Sequence, residues 1–205
     1  MQRARFIAAW IGASILSITV AVVAVTILGG DTVPSLAVTA ILEASCLGLV
    51  QQRLVGNRTG HAGTWLLATL IGGVTGRAVQ YLLESGPLMA ESYHWPHALQ
   101  LAGAACAGLT VGMVMAIPQA LTLRGTVDHA EVWIATRALS TAAMFVFLGF
   151  AQFALGVPDL PFGMIFLTLI GIAWMSALIG AAIEAPVISL LLETQRPPLR
   201  QLTSL

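Results

Sequence analysis

The sequence predicts an all-α integral membrane protein: six transmembrane helices paired as three repeated hairpins, with both termini on the cytoplasmic side. Three observations point there. Hydrophobic residues make up 58% of the 205 and charged residues only 9%, against roughly 25% charged in an ordinary soluble domain. The arginines gather at alternate junctions between apolar runs. One phrase is also repeated, HAGTW at 61–65 and HAEVW at 129–133, an offset of 68 residues.

Crossing a hydrocarbon layer ~30 Å thick takes about 20 helical residues. Six runs are long enough: 6–28, 34–55, 62–83, 98–122, 130–153 and 162–192. The breaks between them carry turn chemistry, GGDTVP at 29–34, GNRTG at 56–60, ESGP at 84–87, RGTVD at 124–128 and GVPDLP at 156–161. A helix satisfies its own backbone where lipid offers no hydrogen-bond partner, so a helical bundle is the expected arrangement. The first run follows Arg3 and Arg5 as a signal peptide would, but it is longer than a signal core and no small-x-small cleavage site closes it. It reads as a retained helix. The chain then forms one transmembrane domain, with hairpins at about 1–55, 56–122 and 124–192 and a tail at 193–205.

Charge gives the orientation. Arg3, Arg5, Arg53, Arg58, Arg124, Arg196 and Arg200 lie at the termini and the even junctions, whereas the odd junctions hold Asp31, Glu84, Glu91 and Asp159 without an arginine. By the positive-inside rule the arginine side is cytoplasmic, which suits a bacterial-type inner (plasma) membrane and an even number of spans. Net charge is zero, so no global field draws nucleic acid. The lipid bilayer is the expected partner, with a membrane-protein partner or a second copy also open.

The repeat extends beyond the opening phrase. Trp65 overlies Trp133, and Trp10 opens the first span in the same way; Gln51 overlies Gln119, and Pro118 overlies Pro186. Ala40, Ala44 and Gly48 in the second span correspond to Gly108, Gly112 and Ala116 in the fourth, then to Ser176, Gly180 and Glu184 in the sixth. Small residues four apart let helix backbones approach closely. The even spans are therefore expected as a close inner set around a pseudo-threefold axis.

Ionisable groups within a span are costly and stand as functional candidates. Four occur here: Glu43, Arg77, Arg137 and Glu184. At 1.5 Å per residue, Arg137 and Glu184 both lie about 12 Å from the cytoplasmic ends of consecutive antiparallel helices, which predicts an ion pair. Glu43 and Arg77 differ in depth by roughly 6 Å, within reach of a long arginine. Pro186 is expected to free the carbonyl of Ala182, and a carboxylate beside it would suit a cation or a proton. Gln51 and Gln119 are expected to hydrogen-bond across helices. Trp10, Trp65 and Trp133, with His61 and His129, stand near helix ends and are expected as anchors at the headgroup level.

Enzyme signatures are missing. The chain has no GxSxG, no HExxH and no GxxxxGK[ST]. Cys46 and Cys106 lie in apolar runs without metal-ligand spacing, and His94 and His97 have no carboxylate or cysteine to complete a metal set. No cofactor is expected, and no CxxCH supports haem attachment. The functional expectation is a non-catalytic bundle that binds or moves a small solute or ion, lined by Glu184, Arg137, Gln51, Gln119, Glu43 and Arg77. The other reading is a scaffold or accessory subunit of a larger membrane complex.

Overall fold

A computed structural model describes residues 2–29, 32–60, 62–86, 94–155 and 162–194. Among them are six long helices: α1 (Gln2–Leu28), α2 (Val33–Thr59), α3 (Ala62–Glu84), α4 (His97–Leu123), α5 (Glu131–Leu155) and α6 (Phe162–Glu193). All six are long and apolar enough to cross a membrane, and their ends fall within about a turn of those read from the sequence. A lipid bilayer is the environment that such a surface requires. Leu67, Leu139, Phe150 and Leu167 are each more than half exposed, an outside that water would not tolerate in this quantity.

Local chemistry sets the helix ends. Thr32 caps α2 by accepting from the Ser35 amide, and Pro34 occupies the first turn, where its missing N–H costs nothing. At the other end Gly60 adopts φ +75°, and its N–H closes on the Gly56 carbonyl at 2.8 Å. Between α4 and α5 the chain turns at once, Val127 returning its N–H to Leu123 O at 3.0 Å. Val127 and Ala130 in that turn are buried in the bundle.

The helices form a ring in chain order. Each packs against its neighbours in sequence, and α6 closes the ring against α1. This corrects the expected inner set of even helices. The small residues lie in the seams between adjacent helices instead. A Cβ on Gly108 would meet Ala142 Cα at 2.6 Å, and one on Gly112 would meet Arg137 O at 2.6 Å, so α4 rests directly on the α5 backbone. Gly48 similarly faces Leu66 and Thr69 of α3. Such rows bring two helices together side by side; they do not require that three meet on an axis.

The two ends of the ring differ. Near the termini it is solid: Phe6, Trp10, Val55, Trp65, Leu123, Trp133 and Ile188 form one buried core. Farther along, the ring encloses a cavity to which all six helices contribute.

Candidate functional site: a cavity between two ion pairs

The solid end is built from tryptophans. Trp10, Trp65 and Trp133 come from α1, α3 and α5, which are not neighbours in the ring, so their side chains meet only by reaching across it. Trp10 and Trp133 lie edge to face with centroids 5.8 Å apart, and Trp65 lies 6.2 Å from Trp133. All three are at most 1% exposed. They are therefore a plug and not the headgroup anchors expected from their positions. The reason lies in the indole N–H groups. Trp133 donates to Gln119 Oε1 at 2.9 Å, and Trp10 approaches Glu184 Oε2 at 3.4 Å, so protein acceptors replace the lipid headgroup for two of the three. Of the expected histidine anchors, His129 is exposed beside Glu131, with φ +58° at the start of α5; His61 lies outside the described residues.

Above the plug is the inner ion pair. Arg137 Nη1 donates to both oxygens of Glu184 at 2.6 Å, and Ser140, one turn on from Arg137, donates to Glu184 Oε1 at 2.5 Å. The side chains are 13% and 2% exposed, respectively. The sequence locates this pair correctly, but not the hydroxyl and indole that complete it. With an arginine, a hydroxyl and an indole around it, the Glu184 carboxylate does not offer the bare acidic site expected beside Ala182. Among the described residues no cluster of three or more His, Cys, Asp or Glu is placed to hold a metal ion.

The outer pair is looser. Arg77 Nη2 donates to Glu43 Oε2 at 2.6 Å, with Nε on the same oxygen at 3.2 Å. Its Nη1 donates to Gln80 at 2.8 Å, and Gln80 donates to Glu84 at 2.8 Å. Here the Arg77 and Glu43 side chains are 38% and 21% exposed. Exposure therefore rises from the inner pair to the outer one.

The cavity lies between these pairs. It leaves about 120 Å³ free to the centres of water-sized molecules, room for several waters or the core of a small organic molecule. Glu43, Arg77, Gln80, Gln119 and Arg137 supply polar groups, while Met115, Met144, Phe145 and Leu148 supply much of the apolar wall. A smaller adjoining space extends from Glu43 and Arg137 to Ser14 and Glu184. Five of the six sequence candidates thus line one or both of these neighbouring spaces. Gln51 does not. It is 1% exposed, and both ends of its amide lack a partner among the described residues. Its counterpart Gln119 instead bridges helices, accepting from Trp133 and donating to Thr69 Oγ1 at 2.9 Å. Thr69 was not singled out by sequence, although it occupies the place of Arg137 under the 68-residue offset.

Fold and site together define a polytopic helical membrane protein whose helices enclose a partly polar cavity. No family model, curated protein or solved structure matches the chain.

Proposed function

We propose that the protein binds a small solute in this cavity and carries it across the membrane, without catalysis. The observation that supports this reading most is the asymmetry of the ring, with a cavity lined by all six helices and a tryptophan plug at the termini end. Ligand sites are concave, mostly apolar and set with a few convergent polar groups. A solid bundle locked by Arg137 and Glu184 would suit the rival, a scaffold in a larger complex. With the arginine-rich side cytoplasmic, the plug closes the cytoplasmic end and the cavity faces the opposite side of an inner membrane.

The three-hairpin repeat belongs to the same proposal. Trp133, Gln119 and Thr69 are joined through α5, α4 and α3. Trp10, Glu184 and Arg137 are joined through α1, α6 and α5. In each set a tryptophan N–H meets an acceptor on an even helix, which also holds the residue four positions after another tryptophan. The tryptophans and the residues four positions after them correspond under the 68-residue offset. The acceptors do not, since Gln119 overlies Val187 and Glu184 overlies Ala116, one turn away. The tryptophan side of each set is what supports an ancestral repeat. The third, Trp65 with Gln51, has lost its bonds: the indole N–H and both amide atoms are unpaired among the described residues.

Purification in native lipids, followed by mass spectrometry of co-purifying small molecules and proteins, tests the function. The expected result is a small molecule retained by the wild type and lost in Leu148→Trp, which fills the cavity. Retention of only a stoichiometric protein partner, unchanged by Leu148→Trp and by Glu184→Gln, would sink the solute reading.

A further inference from the structure

The two arginines within the spans use their guanidinium groups differently. A guanidinium has a side-on fork, made by Nε–H and the adjacent Nη2–H, whose two parallel donors match the two oxygens of a carboxylate or phosphate. Arg77 has spent this edge: Nε and Nη2 both donate to Glu43, and Nη1 donates to Gln80. Arg137 has not. Only Nη1 is engaged, on Glu184. Its Nε is buried with no partner among the described residues, and none of them accepts from Nη2. A buried donor left unpaired is unfavourable, and this one belongs to a residue that lines both parts of the cavity.

We infer that the vacant edge of Arg137 is a receptor for an oxyanion, and that the solute is a small amphipathic anion carrying it. This rests on the proposed solute-binding role and adds the chemical class. Glu184 holds the guanidinium from the Nη1 side, which leaves Nη2 without an acceptor among the described residues and Nε sealed beside it, while Ser140 holds Glu184 in turn. The oxyanion meets Nη2 first and reaches Nε by a small shift of the side chain. The apolar body of the anion lies along Met115, Met144, Phe145 and Leu148. An uncharged solute of the same shape would fill the apolar wall but leave the fork unmet. An oxyanion can come from a soluble carboxylate or from the headgroup of an anionic lipid, and the fork accepts either.

The test uses the full chain in phosphatidylcholine nanodiscs, with phenylacetate and its uncharged counterpart phenylacetamide as probes, read by equilibrium dialysis. Phenylacetate is expected to bind roughly ten-fold more tightly than the amide. Arg137→Lys keeps a cation for Glu184 but loses the fork, and is expected to erase that preference; Arg124→Lys, in the exposed turn between α4 and α5, is expected to keep it. If Arg137→Lys does not fold, Arg137→Gln with Glu184→Gln, which leaves no lone charge, takes its place. Adding phosphatidylglycerol identifies the source: loss of phenylacetate binding assigns the fork to a lipid headgroup, and unchanged binding assigns it to a soluble anion. The inference is overturned by equal binding of acid and amide, by no binding of phenylacetate in phosphatidylcholine, or by an acid preference that survives the loss of the Arg137 fork. Equal binding that Leu148→Trp abolishes overturns the oxyanion alone and leaves the solute cavity standing.

Discussion

Removing one partner of the inner ion pair is expected to be far more damaging than removing both. In Glu184→Leu, Arg137 keeps its charge with its side chain 13% exposed and loses its only acceptor among the described residues. An uncompensated buried charge of this kind costs about 3–5 kcal/mol, and Arg137→Leu, which strands Glu184 at 2% exposure, costs about as much. If the two effects were independent, the double variant would lose at least about 6 kcal/mol. The double variant strands no charge, however. It loses the long Trp10 bond at 3.4 Å and the Ser140 bond at 2.5 Å, but Ser140 keeps the Arg137 carbonyl at 3.0 Å, so the cost is expected to stay below about 2 kcal/mol. The outer pair gives an internal comparison. With side chains 38% and 21% exposed, Glu43→Leu is expected to cost no more than about 1 kcal/mol. The assay is reversible unfolding in mixed micelles of dodecylmaltoside and SDS, followed by circular dichroism for all four variants. Additive losses at Arg137 and Glu184, or an outer pair as costly as the inner one, would refute this reasoning.

Other consequences can be checked in the same system. Gly112→Ala brings a Cβ within 2.6 Å of Arg137 O, where ordinary contact begins at 3.4 Å, so α4 and α5 must part by about 0.8 Å (3.4 − 2.6). A loss of about 1–3 kcal/mol is expected on unfolding, whereas Gly12→Ala, with nothing within 4 Å, is expected to be neutral or slightly stabilising. Gln119→Leu removes the partner of both Trp133 and Thr69 and is expected to destabilise by about 2 kcal/mol. Gln51→Leu replaces an amide without partners among the described residues and is expected to be neutral or to stabilise by about 1 kcal/mol; a loss equal to that of Gln119→Leu would show that Gln51 is satisfied by something bound. Orientation is open to reporter fusions. Alkaline phosphatase joined after Gly86 is expected to be active and after Gly125 inactive, and the reverse pattern would invert the proposed topology.

The spans and the inner pair were legible because each follows from distance along a helix. A run of apolar residues fixes length, and equal distance from the same end of adjacent antiparallel helices brings Arg137 to Glu184. Rotation about the helix axis was not legible in the same way. A tryptophan within a turn or so of a helix start suits a headgroup belt or a central plug equally well, and only the neighbouring helices decide which way Trp10, Trp65 and Trp133 point. The same limit explains the ring. Gly108 and Gly112 announce that another backbone comes close, but nothing in their spacing says whether it is the next helix in the chain or one across the bundle. Gln51 and Gln119 match in sequence and depth, yet only Gln119 meets an acceptor on α3 and a donor on α5.

The tryptophan plug also constrains how the closed end could open. Its three rings come from three alternate helices and interlock near the middle of the ring. Swinging one half of the molecule against the other would still leave indoles crowded together in at least one half. A passage there requires the three helices to withdraw in concert, as the blades of an iris do, so access on that side would be gained all at once or not at all.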